Sequence, residues 1–161
     1  MLFINRRNGN NSQYICEKVD EGYEVLLFSR SGDLVYGSVF PKEPWIMEIN
    51  DKICEIGIST GSPSTYVFYF NKVTLQISEI SFNSKLLDEK YIVYMENGEL
   101  IIQDIFDKEI FYKKIVRDFT KTANPSSAII SIELDSSENL ILEYYKGKDY
   151  IEEIEIIPLY P

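Results

Sequence analysis

The sequence contains no histidine, and this absence limits the chemistry that the protein can perform. Histidine is the usual general base near neutral pH and the commonest metal ligand. Without it, neither a Ser-His-Asp nor a Cys-His nucleophile system can be built. The sequence also has no glycine-rich phosphate loop and no dinucleotide-binding fingerprint. We therefore expect no catalytic residue, no metal site and no cofactor, and a non-enzyme is the favoured class.

Cysteines and long apolar runs are also scarce. Cys16 and Cys54 are too few for a disulfide scaffold or a zinc site, so we expect two free thiols within strands. No run reaches the roughly 18 to 20 apolar residues that a membrane-spanning helix needs. The amino-terminal residues lack the order of a secretory signal peptide. These absences predict a cytoplasmic protein, and we take its source to be bacterial as part of the leading hypothesis.

Basic residues are outnumbered, with 16 lysines and arginines against 26 aspartates and glutamates, and the formal net charge is −10. The electrostatic field of this negative charge repels phosphate backbones and anionic lipids, so we expect neither a nucleic acid nor a membrane as partner. A basic protein would be attracted, and its association rate would fall as salt rises. The alternative interpretation is that the acidity only keeps a sheet-rich protein soluble.

What the sequence has in abundance is strand-forming residues. β-branched and aromatic residues occur in runs of about five to eight, separated by turn-forming residues. The pattern predicts an all-β antiparallel meander of about 14 strands, including one at Leu2–Arg7, in a single domain spanning residues 1–161. Asn97-Gly98 is the clearest turn, because both residues tolerate the positive φ of a type I′ hairpin.

The chain also shows internal repetition. Residues 65–80 align without a gap on residues 139–154. An aromatic residue followed two positions later by lysine recurs at Phe40, Phe70, Phe106 and Tyr144. Periods of about 30 to 40 residues indicate units of a few strands each. We predict four such units, with these four aromatic residues in equivalent positions.

Residues 91–116 include the segment YIVYMENGELIIQDIFDK, in which a strand, a tight turn, a second strand and an acidic connector follow one another. This segment resembles one blade of a β-propeller. The resemblance implies a small four-bladed-propeller-like fold, in which Leu2–Arg7 completes the last blade. The alternative architecture is a β-sandwich or a partly open β-barrel.

The leading functional hypothesis is a non-enzymatic binding module whose partner is a protein, and one form of it is an immunity-type inhibitor of a basic protein. The candidate binding residues are aromatic side chains on strands: Trp45, Tyr36, Tyr69, Tyr94 and Tyr112. The competing interpretation is that these rings pack in the core. Glu152, Glu153 and Glu155 form the densest acidic cluster, which would serve either as a docking edge or as protection against sheet-to-sheet aggregation.

A second functional hypothesis uses carboxylates alone. Glycoside hydrolysis needs only an acid and a base or nucleophile, so the alternative is a carboxylate-dependent glycoside hydrolase-like or carbohydrate-binding protein. Its candidate residues are Asp51, Glu55, Asp104 and Asp107. The competing interpretation is that these acids belong to turns and solvated strand faces.

Overall fold

The computed structural model describes residues 14–61 and 64–160, and within them it confirms an all-β protein. Fourteen strands form four antiparallel sheets, and none of these sheets closes on itself within the described residues. The one helical element in these residues is a single 3₁₀ turn, Pro125–Ala128, capped by the side chain of Asn124. The predicted strand Leu2–Arg7 lies outside the described residues.

The chain divides into two compact units, Met1–Ile80 and Ser81–Pro161. In the first unit, three strands form the first sheet in chain order: β1 (Tyr14–Val19), β2 (Gly22–Phe28) and β3 (Leu34–Phe40). Three more run in chain order through the second sheet: β4 (Trp45–Glu48), β5 (Ile53–Gly61) and β6 (Ser64–Asn71). The prediction of a single domain stays a prediction.

The second unit begins with the two-residue strand β7 (Ser81–Phe82). The third sheet has the order β11-β10-β9-β8 and comprises β8 (Lys85–Leu87), β9 (Tyr91–Glu96), β10 (Glu99–Asp104) and β11 (Tyr112–Ile115). The fourth sheet has its three strands in chain order: β12 (Ile129–Leu134), β13 (Asn139–Lys146) and β14 (Ile151–Pro158). Each sheet is therefore built from consecutive strands.

Each unit has its own hydrophobic core, to which both of its sheets contribute. In the first unit the core consists of Val25, Leu27, Phe40, Cys54, Ile56, Ile58, Phe68 and Phe70. In the second unit the largest contributions come from Tyr91, Val93, Leu100, Ile102, Leu140, Leu142 and Tyr144. Burial of these apolar side chains is the main force that holds each pair of sheets together.

The predicted hairpin at Asn97-Gly98 is confirmed. β9 ends at Glu96 and β10 begins at Glu99, and these two residues pair directly across the turn. Asn97 has φ 51° and Gly98 has φ 80°, which are the positive angles that a type I′ turn requires.

The structure differs from the sequence prediction in three places. The strand β8, Lys85–Leu87, is not among the predicted strands. The apolar residues of the segment 75–82 predict one strand, but this segment holds only an isolated bridge at Ile77 and the short β7. Of the four repeated aromatic residues, Phe40, Phe70 and Tyr144 are buried within strands, whereas Phe106 is half-buried and lies after the end of β10. The expected equivalence of all four positions is therefore wrong at Phe106, and the four-unit repeat stays a prediction.

Candidate functional site

The fourth sheet has one face on the core and one face that points away from it. Leu140, Leu142 and Tyr144 of β13 point into the core of the second unit, so the alternate residues of this strand point outward. Residues paired directly across antiparallel strands share a face. The side chains on the outer face of the fourth sheet are therefore Ser131, Glu133, Asn139, Ile141, Glu143, Tyr145, Glu152, Ile154, Ile156 and Pro158.

The outer face of the fourth sheet combines exposed isoleucines with glutamates. Ile154 and Ile156 are 65% and 66% exposed, which is high for large apolar side chains. Glu133 and Glu152 are exposed as well, and these ten positions include three glutamates but neither lysine nor arginine. This face is thus acidic and apolar at once.

The glutamates of β14 on the opposite face have cationic partners. Glu153 accepts a bond from Lys146 Nζ at 3.1 Å. Glu155 accepts bonds from Arg117 Nε at 2.8 and 2.9 Å, and from the Tyr144 hydroxyl at 2.6 Å. Two of the three clustered glutamates are therefore neutralised on the core side of the sheet.

These contacts also shift the pKa values of the paired groups. The hydrogen bonds from Arg117 and then Tyr144 lower the pKa of Glu155 below its usual value of 4.5. Burial, followed by the hydrogen bond to Glu155, raises the pKa of Tyr144 to about 12. The carboxylate form of Glu155 is therefore the one that this environment favours.

β14 thus reverses the usual pattern of an exposed strand. In most half-buried strands the apolar residues face inward and the charged residues face water. Here Glu153 and Glu155 face inward, while Ile154 and Ile156 face outward. The reversal is possible because Arg117, Lys146 and Tyr144 supply partners to the inward carboxylates.

A cleft of about 690 Å³ adjoins the start of β14. Phe119 and the buried Thr120 form part of its lining, and the Thr120 hydroxyl donates to the carbonyl oxygen of Gly147 at 2.6 Å. Tyr150, at its rim, has a left-handed φ of 55° and packs edge-on against Tyr145. The charged residues that line the cleft are Asp118, Lys121, Lys146, Lys148, Asp149 and Glu153. With three cations and three anions, the cleft has no single electrostatic preference.

The five predicted aromatic binding residues do not lie on one surface. Trp45 is half-buried, and its indole lies on Gly57 with Nε1 donating to Glu55 Oε1 at 2.9 Å. Tyr36 packs against Phe68 of the first core with ring centroids 5.3 Å apart. These two rings have structural contacts inside the first unit.

The remaining three tyrosines also differ in exposure. Tyr69 is only 1% exposed, so its ring is not offered to a partner. Tyr94 is half-buried and donates its hydroxyl to Gln103 at 3.2 Å. Tyr112 is exposed and is paired with Gln103 across β10 and β11. The aromatic residues were predicted as a binding surface, but the structure distributes them over separate faces: Tyr94 and Tyr112 share a face of the third sheet, and Trp45 shares a face of the second sheet with the buried Tyr69.

The four candidate carboxylates lie at turns or bond local groups. Asp104 Oδ1 accepts from the backbone N–H groups of Phe106 and Asp107. Asp107 in turn accepts from the N–H of Glu109 at 2.8 Å. Glu55 holds the Trp45 indole, and Asp51 is exposed in the turn between β4 and β5. These contacts are structural, and the glycoside hydrolase hypothesis stays untested.

Comparison with known proteins finds similarity to part of a longer protein. No family model matches the chain. The chain is 31% identical over 127 residues to proteins named undecaprenyl-diphosphatase from three strains of Buchnera aphidicola subsp. Acyrthosiphon pisum (5A, APS and Tuc7). The alignment covers 79% of this chain but only 44% of each relative, so the chain spans less than half of their length. The residues that the structure describes include no helix long and apolar enough to cross a membrane.

Proposed function

We propose that this protein is a non-enzymatic binding module that docks a basic protein on the outer face of its fourth sheet. The reversed side-chain pattern of β14 is the observation that carries the proposal. Exposing Ile154 and Ile156 to water while Glu153 and Glu155 face inward costs stability. Proteins keep such unfavourable arrangements mainly at functional sites. Large exposed apolar side chains that cluster among polar ones are typical of protein-binding sites.

The charge of the outer face supports a basic partner. Glu133, Glu143 and Glu152 surround the isoleucines, and the whole chain carries a formal charge of −10. Surfaces of opposite electrostatic potential associate faster, whereas surfaces of the same sign repel each other. An apolar contact flanked by basic side chains is therefore the complement of this face. An immunity-type inhibitor of a basic protein is one form that such a module takes.

A bacterial cytoplasmic location is part of this proposal. Both cysteines are in the described part of the chain, and both are free thiols. Free thiols are usual in reducing compartments, whereas small exported domains commonly use their cysteines in disulfides.

The test is a pull-down from a lysate of the native cells with immobilised protein, at about 0.1 M and about 1 M NaCl, since these concentrations differ about threefold in screening length. A double variant, Ile154→Lys/Ile156→Lys, removes the apolar contact and adds two positive charges. The matched control is Ile110→Lys/Val116→Lys, which changes two exposed apolar residues of the same unit outside the fourth sheet.

The proposal predicts one basic protein that is retained at low salt by the wild type and the control but not by the outer-face variant. Retention of the same protein by all three proteins would contradict the proposed surface. Retention that does not weaken at high salt would contradict the electrostatic part of the proposal.

A further inference from the structure

We infer that the partner binds by strand addition, as an extended basic segment that pairs with the free edge of β14. This inference rests on the proposed function and specifies its geometry. In this binding mode the backbone of a peptide completes the hydrogen bonding of an exposed sheet edge, and alternate side chains give specificity.

β14 is the best-formed edge in the described part of the chain. It has eight residues, while the other edge strands have between two and seven. All eight residues pair with β13 in one uninterrupted register from Ile151 to Pro158. Within the described residues its other side has no strand next to it. A long regular edge of this kind is a template for another strand.

The usual devices that protect an edge are weak along β14. Proteins block edges with bulges, prolines, exposed charges or charges that point inward. β14 has no register shift, and its one proline, Pro158, is its last residue. Its inward glutamates, Glu153 and Glu155, are neutralised by Lys146 and Arg117. Of the acidic cluster Glu152, Glu153 and Glu155, Glu152 is therefore the one outward charge of β14.

The charge pattern selects the occupant of this edge. A second copy of the chain would bring another −10 charge and would set Glu152 against an identical acidic face. A basic segment would instead place its basic side chains beside Glu152, Ile154 and Ile156 on the outer face, where a charged end meets Glu152 and the aliphatic stems cover the isoleucines. Its alternate residues would then lie on the other face of the sheet. The edge therefore fits an extended segment in which basic and β-branched residues alternate.

The probe is a short capped peptide of alternating lysine and valine, about as long as β14. Two further versions carry backbone N-methyl groups on alternate residues, one on the odd and the other on the even positions. Successive N–H groups of a strand point to opposite edges, so each version loses the hydrogen-bond donors of one edge only. A peptide of alternating glutamate and valine controls for charge. Binding is measured by the shifts of the backbone amide signals of residues 151–157 in two-dimensional NMR spectra.

Strand addition predicts that the unmodified lysine peptide shifts these signals. One methylated version is expected to bind at least about tenfold more weakly, because several backbone hydrogen bonds are lost, whereas the other binds within about twofold of the parent. The glutamate peptide is expected not to bind.

The remaining outcomes separate the two proposals. Equal binding of both methylated versions would overturn strand addition but leave docking on the outer face intact. Equal binding of the lysine and glutamate peptides would overturn the proposed preference for a basic partner. No shift at residues 151–157 with the lysine peptide would overturn strand addition. Dimerisation of the protein alone through β14, seen by analytical ultracentrifugation, would identify a second copy as the occupant and overturn the inference.

Discussion

Arg117 and Glu155 form a bidentate ion pair on the core side of the fourth sheet. Arg117 Nη2 lies 2.7 Å from Glu155 Oε2, and Arg117 Nε donates to both carboxylate oxygens. The Tyr144 hydroxyl adds a third donor at 2.6 Å. This arrangement allows a glutamate to face inward on β14, and the outward position of the isoleucines follows from it. The ion pair therefore contributes to the shape of the proposed binding face as well as to stability.

The pH dependence of stability tests this ion pair. Because the folded protein lowers the pKa of Glu155 below 4.5, the folded state binds fewer protons than the unfolded state in acid. The resulting stabilisation is present above pH 4.5 and is lost as the pH falls through the folded pKa. We expect Glu155→Gln to unfold with a shallower dependence on pH below 4.5 than the wild type, measured by urea denaturation. Arg117→Leu should flatten the curve in the same way, and an unchanged slope in both variants would contradict the account.

Gly57 is required by the ring of Trp45. A Cβ atom at position 57 would lie 1.9 Å from Cζ2 of the indole, so an alanine there must displace the ring. We expect Gly57→Ala to reduce the free energy of unfolding by about 1 to 3 kcal/mol, the usual cost of overpacking. Tryptophan emission should also shift to the red as the indole leaves its site against Glu55. Ser59→Ala, an exposed change on the same strand, is the control. Normal stability together with unchanged emission in Gly57→Ala would show that the Trp45 ring does not pack on Gly57.

The outer isoleucines are expected to matter little for folding. Ile154→Ala and Ile156→Ala remove side chains that are already mostly in water, so each should change the free energy of unfolding by no more than about 0.5 kcal/mol. Ile102→Ala, at a fully buried position of the second core, should cost about 2 to 5 kcal/mol. Chemical denaturation of the three variants measures this contrast. A large loss at position 154 or 156 would mean that these residues hold the fold together, and the argument for a binding face would fail.

The thiol of Cys54 is expected to be inert in the folded protein. Burial is the main cause that raises its pKa to about 12, so the reactive thiolate is scarce near neutral pH. Cys16 is only half-buried, although burial also raises its pKa. Iodoacetamide should therefore modify Cys16 before Cys54, and Cys54 should react at a normal rate only in denaturant. Mass spectrometry of peptides taken over time gives the order, and faster labelling of Cys54 would contradict its burial.

The strands and one turn could be predicted from the sequence because they depend on local chemistry. Runs of β-branched and aromatic residues identified nearly every described strand, and Asn97-Gly98 identified its hairpin. Phe106 was misplaced because its neighbour Ile105 takes the buried position after β10, a choice that the aromatic-x-lysine pattern does not encode.

The candidate site was harder to predict, since it depends on which face of a strand meets the core. The alternation of isoleucine and glutamate from Glu153 to Ile156 indicates a half-buried strand, but it favours the isoleucines as the inward set. The opposite orientation is stabilised by Arg117, which lies 38 residues before Glu155 in the chain. A pairing so distant in sequence cannot be seen in the local pattern of β14.

The most direct test of the central claim is the affinity of the captured basic protein as a function of salt. Kd would be measured by titration calorimetry for the wild type and for Glu133→Gln/Glu143→Gln/Glu152→Gln, which removes the charges of the outer face and keeps their shape. We predict that Kd of the wild type rises steeply with NaCl, while the variant binds at least about tenfold more weakly at low salt and depends less on salt. Equal affinity and equal salt dependence for the two proteins would show that the partner does not bind at this face.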